Sequence, residues 1–164
     1  RKTAFMQQSN FAGNAYNHIL KYYARPIGNR GIVNIKVLRM EEVYLNMAEA
    51  QYRIDGGGLD YLDKIRSQRY SPFVSGSETG DALWSAIMLE RRLELAFEMD
   101  RFFTLKRLAL PVVRPADIGD YANGGGEVPV ASALLLPAGD FKWQLPIPQY
   151  QIDVNANLQQ NPGY

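Results

Sequence analysis

The feature that most constrains the fold is a helical period that extends over residues 37–110. Over residues 37–54, polar side chains recur at steps of three and four, which is the spacing of one face of an α-helix. Three successive glycines at 56–58 should end this helix, because glycine readily adopts the positive φ of a helix terminus and weakens a helix interior. The period restarts over residues 59–70. Two helices joined by so short a turn pack antiparallel, as a helical hairpin.

The first helix is expected to be amphipathic. Its polar stripe consists of Arg39, Glu42, Asn46, Glu49 and Arg53. We expect the opposite side to be buried, and its residues are Val37, Met40, Tyr44, Met47 and Ala48.

A third helix is predicted from about residue 82 to 99, after a loop at 71–80 that is rich in Ser, Gly and Pro. A helical segment at 101–110 should continue until Pro111, which cannot extend it. Helix pairs at this spacing resemble tetratricopeptide-type units, although two pairs do not by themselves identify a repeat array. The prediction is a mainly α fold built on tetratricopeptide-like helix pairs.

The two ends of the chain lack this period. Residues 1–36 are polar and aromatic and predict an irregular or extended entry, with short extended pieces at 22–25 and 31–36. Residues 111–164 are punctuated by Gly and Pro but still carry Leu134, Trp143 and Ile147, so we expect a long irregular tail that wraps over the helices. We expect residues 1–164 to form a single domain with a helical scaffold at 37–110.

Composition excludes several classes of protein. The formal net charge is +1, which is not the basic balance of a general nucleic-acid binder. There is no Cys, which excludes a disulfide, a thiolate nucleophile or a thiolate metal site within these residues. No apolar run approaches the roughly 18 residues that span a bilayer. The chain begins with Arg1 and shows no signal peptide, so we interpret it as part of a longer protein whose targeting signal lies upstream.

The densest charged segment is residues 90–98 of the predicted third helix. Glu90, Arg91, Glu94 and Glu98 share one helical stripe that is bordered on both sides by apolar residues. Partly buried carboxylates need partners, and arginines are available in this segment and its neighbours. The favoured hypothesis is a structural ion network; its predicted members are Glu49, Arg66, Glu90, Arg91, Glu94, Glu98, Arg101 and Arg107, with Arg69 as a further available partner.

Catalytic interpretations of the same residues are weaker. A di-metal bundle needs Glu-x-x-His pairs, but the only histidine, His18, lies outside the helical region, so no metal site is predicted. A glycoside hydrolase needs two carboxylates across a cleft, yet no spacing singles out a pair. The glycine triplets at 56–58 and 124–126 lack the context of a phosphate-binding loop and are interpreted as turns, so no cofactor is predicted.

Aromatic residues offer a binding chemistry, since sugar rings stack on aromatic faces while their hydroxyls bond to polar side chains. Trp143, between Pro137 and Pro146, is a candidate for an exposed platform, and a buried anchor for the tail is at least as strong an alternative. Tyr121, beside Asn123 and the second glycine triplet, is a weaker candidate of the same kind.

Four segments then resemble one family, SusD/RagB. Residues 38–50 (LRMEEVYLNMAEA) resemble its R-x-x-E-x-Y-L-x-x-A-E-A helix, and Ile65-Arg66 with Arg69 is similar to the element that ends the next helix. Residues 90–107 resemble E-R-R-x-E-L-A-F-E followed by R-F-x-D-L-x-R, with Thr104 in place of the usual Asp. LPIP at 145–148 and QNPGY at 160–164 resemble the family's closing motif, although Ala156 stands where Pro is common.

The resemblance implies a non-enzymatic outer-membrane lipoprotein of a Gram-negative bacterium. Such proteins bind an oligosaccharide or other nutrient at the cell surface and cover a SusC-like TonB-dependent transporter. It also implies that this chain is the C-terminal portion, ending at Tyr164, and that the lipid anchor lies in the missing N-terminal part. The alternatives are a glycoside hydrolase and a tetratricopeptide-like adaptor that binds peptides.

Overall fold

The computed structural model describes residues 6–21, 36–114 and 134–164. These residues fall into two compact units. The helical unit comprises residues 6–9, 17–21 and 36–101, and the C-terminal unit comprises residues 10–16, 102–114 and 134–164. The description of residues 1–164 as one domain stays a prediction, as does the wrapping of the tail over the helices. The extended pieces expected at 22–25 and 31–36 lie, except for residue 36, outside the described residues.

A β-hairpin forms part of the irregular or extended entry expected over residues 1–36. Strands β1 (Met6–Phe11) and β2 (Asn14–Ile19) pair in a two-stranded sheet. The connecting residues Ala12 and Gly13 both have positive φ, 49° and 82°. Positive φ at both central residues is the conformation of the tight turns that join antiparallel strands.

The helical unit confirms the predicted mainly α fold. It contains α1 (Met40–Asp55), α2 (Leu59–Arg69) and α3 (Gly80–Glu94), and helix α4 (Asp100–Arg107) follows. Gly56 ends α1 with φ 79°, and Gly58 with φ 107° begins the approach to α2. A Cβ on Gly58 would lie 2.4 Å from the Ala48 carbonyl oxygen, so only glycine allows the two helices to approach this closely at the turn.

Two apolar clusters form the interior of this unit. One consists of Ala48, Leu62, Leu83 and Ile87 and therefore joins α1, α2 and α3. The other consists of Leu45, Ile65 and Leu95. Because each cluster brings together residues from at least two helical segments, burial of apolar side chains fixes how the helices pack.

The buried side of α1 differs from the predicted one. Met40 and Met47 are exposed, whereas Leu45, Ala48 and the polar Glu49 are buried. The reason is that α1 packs against two helices, α2 and α3, so its interior side faces both of them. An apolar stripe of Met40, Val43, Met47 and Ile54 stays exposed along the helix.

The third helix also ends earlier than predicted. It stops at Glu94 rather than near residue 99, and Phe97 and Met99 both have positive φ, 65° and 64°. The carbonyl oxygens of Glu94 and Ala96 accept hydrogen bonds from the Lys21 ammonium at 3.0 and 2.8 Å. These contacts satisfy acceptors that a continuing helix would have used, so the chain can turn here.

Apart from residues 102–107 of α4, the C-terminal unit contains little regular structure. Strands β3 (Val112–Val113) and β4 (Leu135–Leu136) pair antiparallel, with Val112 opposite Leu136. A 3₁₀ turn covers Phe141–Trp143, and a short helix α5 covers Gln149–Val154. Much of this unit's backbone is held by hydrogen bonds from side chains instead of by the backbone hydrogen bonds of helices or sheets. This agrees with the irregular tail predicted from the spacing of Gly and Pro.

The closing QNPGY residues supply several of those bonds. Gln160 both accepts from the Ile147 amide at 2.8 Å and donates to its carbonyl at 2.9 Å. Asn161 donates to the Leu145 carbonyl at 2.7 Å, and the Tyr164 hydroxyl donates to the Gln144 carbonyl at 2.8 Å. The last five residues are therefore attached along the segment 144–147, much as a second strand would be.

Candidate functional site

Glu94 is the centre of the buried charge network. The carboxylate is 1% exposed and accepts two hydrogen bonds from Arg69, from Nε and from Nη2, each at 2.8 Å. Arg39 approaches the same carboxylate at 3.3 Å. Hydrogen bonding to Glu94 raises the pKa of Arg69 above its ordinary value. A forked guanidinium on a buried carboxylate is the geometry that best offsets the desolvation of both charges.

Lys21 and Arg39 extend the network to the residues after α3. Glu98 lies 2.5 Å from the Lys21 ammonium and 3.1 Å from Arg39 Nε. Arg39 also donates to the Glu94 carbonyl at 3.0 Å. Two cations thus meet the carboxyl end of α3, where the helix dipole favours positive charge.

A second group of contacts surrounds Arg91. Its Nε and Nη2 donate to the Asp100 carboxylate at 2.6 to 3.1 Å, and its Nη1 donates to Asn46 at 2.7 Å. Glu90, also buried, accepts a hydrogen bond from the Tyr70 hydroxyl at 3.2 Å. Successive residues of α3 thus bond in different directions, which ties the helix to α1 and to the start of α4.

The remaining predicted members of the network are more scattered. Glu49 pairs with Arg53 at 3.1 Å within α1. Arg66 lies 2.9 Å from Glu78 and 3.6 Å from Asp63. The other two predicted members, Arg101 and Arg107, are exposed on α4.

Arg101 has no ion pair among the described residues, which corrects its predicted place in the network. Partial burial lowers its pKa, and neighbouring Arg92 adds to the effect. The adjacent acid, Asp100, is instead bonded to Arg91.

Sequence reasoning missed Lys21, Arg39 and Asp100 as members of the network. Arg39 lies in the motif at residues 38–50 and Asp100 in the motif at residues 90–107. Their charges next to predicted helices could therefore have indicated that they belong to the network. Lys21 precedes α1 by nineteen positions. It had no such signal, because its partners are fixed by tertiary packing.

These carboxylates are poorly placed for chemistry on a substrate. Glu94 and Glu90 are buried; both oxygens of Glu94 accept from Arg69, and Oε2 of Glu90 accepts from the Tyr70 hydroxyl. Within the described residues there is no group of three or more His, Asp or Glu placed to hold a metal ion. The arrangement supports a structural role for the network.

A concave site lies in the C-terminal unit. We call it the C-terminal cavity; it has a volume of about 360 Å³. Leu105, Leu110 and the aromatic residues of the 3₁₀ turn provide apolar walls, and Lys106, Asp140 and Gln144 provide polar groups. This volume is near the lower end of the roughly 300–1,000 Å³ typical of ligand pockets.

Trp143 does not provide an exposed platform. Its side chain is 5% exposed, its indole N–H donates to the Pro137 carbonyl at 2.7 Å, and its ring lies 5.2 Å from that of Phe102. A buried indole has no free face for stacking on a sugar, so the prediction of an exposed platform is wrong. The position of Trp143 is that of the other predicted role, a buried anchor. Phe141, two residues earlier, is the exposed aromatic of the cavity, at 40%. The other aromatic candidate, Tyr121, lies with Asn123 outside the described residues.

The Phe141 ring is positioned by the chain terminus. It packs edge-on against Tyr164 at 5.1 Å, and Lys142 Nζ lies 5.7 Å from its centroid. A Cβ on Gly163, whose φ is 97°, would lie 2.6 Å from ring atoms of Phe141. The terminal glycine is therefore required by both backbone conformation and close packing.

Comparisons with known proteins agree with this geometry. The profile of the SusD family matches residues 6–164. The chain belongs to the SusD family. It is 33% identical to the SusD-like protein P2 of Formosa agariphila, over 99% of this chain and 33% of that protein.

Solved structures support the fold. A SusD superfamily protein from Bacteroides vulgatus superposes with a TM-score of 0.73 at 28% identity, over 99% of this chain and 35% of that one. Another, from Bacteroides thetaiotaomicron, gives a TM-score of 0.67 at 28% identity, over 89% and 31% of the two chains. This SusD-family chain thus spans about a third of the length of these relatives. None of its described helices is both long and apolar enough to cross a lipid bilayer.

Proposed function

We propose that the protein is a non-catalytic binder of a glycan or other nutrient and delivers its ligand to a SusC-like TonB-dependent transporter. The observation that carries this proposal is the family match over residues 6–164, together with the same family's fold in the solved structures. The chemistry of the described residues supports it. The buried Glu94 is ion-paired with Arg69 and Glu90 accepts a hydrogen bond from Tyr70, while a cavity with apolar walls and polar groups is open for ligand.

The proposal includes a location. We place the protein at the outer surface of a Gram-negative outer membrane, held by a lipid anchor on a part of the protein that precedes these residues. The expected ligands are neutral, so nucleic acid is not among the proposed partners; the net charge of +1 supports this. Tyr121 and Asn123 remain proposed ligand contacts, and their replacement by Ala should weaken glycan binding.

The test separates binding from turnover. The protein is incubated with a panel of insoluble and soluble polysaccharides, and both retention and newly formed reducing ends are measured. Retention without new reducing ends is the expected result. Release of reducing ends that Glu90→Gln or Glu94→Gln abolishes in a folded protein would instead identify a glycoside hydrolase. Binding only to peptides would identify a tetratricopeptide-like adaptor, and either outcome would overturn the proposal.

Partnership with the transporter needs its own measurement. Affinity purification of the tagged full-length protein from membranes should recover a large TonB-dependent β-barrel protein in a stoichiometric amount. Recovery of the SusD-family protein alone, under conditions that preserve other outer-membrane complexes, would contradict the delivery step while leaving ligand binding intact.

A further inference from the structure

We infer that the C-terminal cavity is a subsite for one neutral sugar ring, with Phe141 as its aromatic contact and Lys106, Asp140 and Gln144 as its hydrogen-bonding groups. This inference rests on the proposed function, because it names a place in this chain where the proposed glycan binds. Four properties of the cavity carry it: unused hydrogen-bonding capacity, charge balance, an exposed aromatic surface and size.

The polar groups of the cavity have hydrogen bonds to spare. Lys106 uses one of its three protons on the Trp143 carbonyl, at 3.0 Å. Asp140 accepts at Oδ1 from the Lys142 amide, at 2.9 Å, and in the described part of the chain its Oδ2 has no partner. The side-chain amide of Gln144 likewise makes no hydrogen bond to any described residue. The cavity therefore offers donors and acceptors together, which suits hydroxyl groups, since each hydroxyl both donates and accepts.

The charges that line the cavity cancel. Lys106 contributes one positive side chain and Asp140 one negative side chain, and the other lining residues are uncharged. A phosphate or carboxylate ligand would face Asp140, and a cationic ligand would face Lys106. The lining thus favours a neutral ligand that is rich in hydroxyls.

Apolar surface and size narrow the ligand to a ring. Phe141 keeps two fifths of its surface exposed while the terminal Gly163 and Tyr164 hold it in place. A preformed aromatic wall costs little ordering on binding. The volume of about 360 Å³ is close to the lower limit for ligand pockets, so the site fits one sugar residue rather than a chain of several.

The experiment measures the affinity of the protein for neutral methyl hexopyranosides by ligand-observed NMR, alongside glucuronate and glucosamine as charged probes. Gln144→Ala removes an exposed side chain that has no described partner, so the variant should fold normally. It should weaken the neutral glycosides about five- to tenfold, as expected for the loss of one or two hydrogen bonds. The matched control is Gln151→Ala, an exposed glutamine on α5 that does not line the cavity.

A second variant tests the aromatic contact. Phe141→Ala should weaken the same glycosides by at least tenfold, whereas Phe103→Ala, an exposed phenylalanine outside the cavity lining, should not. The Phe141 ring also packs against Tyr164, so Phe141→Ala could lose affinity through a folding defect. Gln144→Ala tests the same cavity without that risk, because its side chain has no described partner.

The outcomes separate this inference from the proposed function. Unchanged affinity in both cavity variants, in a protein that still binds glycans, would overturn the subsite and leave the proposed function standing. Tighter binding of glucuronate or glucosamine than of the neutral glycosides would overturn the charge argument. A protein that binds none of the glycosides and none of the polysaccharides would overturn both.

Discussion

The helical unit and the C-terminal unit use different contacts to hold their backbones. In the helical unit, backbone groups pair within helices, and the side chains that join the helices are buried apolar residues and ion pairs such as Glu94 with Arg69. In the C-terminal unit, the side chains of Gln160, Asn161 and Tyr164 bond directly to backbone groups of residues 144–147. The first arrangement gives a rigid scaffold, and the second allows irregular backbone to enclose a cavity.

The largest effect is expected where the helical unit buries charge. In Glu94→Gln, the guanidinium groups of Arg69 and Arg39 lose the charge that offsets their partial burial. Breaking a buried ion pair typically costs about 3–5 kcal/mol, so the free energy of unfolding should fall by roughly that amount. Urea denaturation followed by far-ultraviolet circular dichroism measures it.

Glu41→Gln provides a matched control for Glu94→Gln. Glu41 accepts from the same Arg69 Nη2 at 2.9 Å, but its side chain is 32% exposed. An exposed pair contributes about 1 kcal/mol or less. Equal losses of unfolding free energy in the two variants would show that burial does not increase the contribution of Glu94 to stability. That result would remove the main contrast between the two units.

The next effect tests the anchor of the C-terminal unit. Trp143→Phe removes the indole N–H that donates to the Pro137 carbonyl at 2.7 Å and leaves that oxygen only the longer bond from the Asp140 amide, at 3.3 Å. The net contribution of one such hydrogen bond is about 0.5–1.5 kcal/mol, so the free energy of unfolding should fall by roughly that amount. Amide hydrogen exchange should accelerate at residues 143 and 144, whose amides donate within this turn.

Trp84→Phe is the comparison for Trp143→Phe. Trp84 lies on α3 and packs against Tyr52 at 5.2 Å, and its indole N–H has no described acceptor. The change should affect stability less and leave exchange at residues 143 and 144 unaltered. Faster exchange there in Trp84→Phe would contradict a local anchor.

The helices of this molecule were predictable because their signals are local. Three- and four-residue steps and the glycines at 56–58 identified α1 and α2 within a few residues. The end of α3 was not predictable, since it depends on Lys21 and Arg39, which are more than 50 positions away from Glu94. Local periodicity carries no information about such partners.

The candidate site was harder to predict than the scaffold. Trp143 was singled out for its residue type and its loop position, yet its role depends on whether its N–H finds an acceptor, and Pro137 supplies one. Phe141 was not singled out, because nothing in its immediate sequence indicates that Gly163 and Tyr164 pack against it. In a segment without a period, exposure is decided by distant residues.

A smaller effect tests the attachment of the terminal residues. Gln160→Ala removes the acceptor of the Ile147 amide and the donor to its carbonyl. The Ile147 amide should exchange about tenfold faster or more, as expected for the loss of a hydrogen bond to a partly buried group. Gln159→Ala, one position earlier and exposed, should leave that amide unchanged. Unaltered exchange at residue 147 in Gln160→Ala would mean that other contacts hold the terminus.

The smallest effect is a pH dependence in the helical unit. A hydrogen bond from its own backbone N–H, and then the guanidinium of Arg66 at 2.9 Å, hold the pKa of Glu78 below its ordinary value of 4.5. Since the folded protein then binds this proton less readily than the unfolded chain, the contribution of Glu78 to stability is present above about pH 4.5 and is lost as the pH falls through the lowered value. Glu78→Gln should therefore be less stable than the parent near neutral pH, and the difference should shrink on acidification. Unfolding free energies between about pH 3 and about pH 7 measure this. In an Arg66→Gln background, the pH-dependent stability difference between the Glu78→Gln variant and its parent should decrease without vanishing, because the backbone donor remains. A stability difference that grows as the pH falls would contradict the lowered pKa of Glu78.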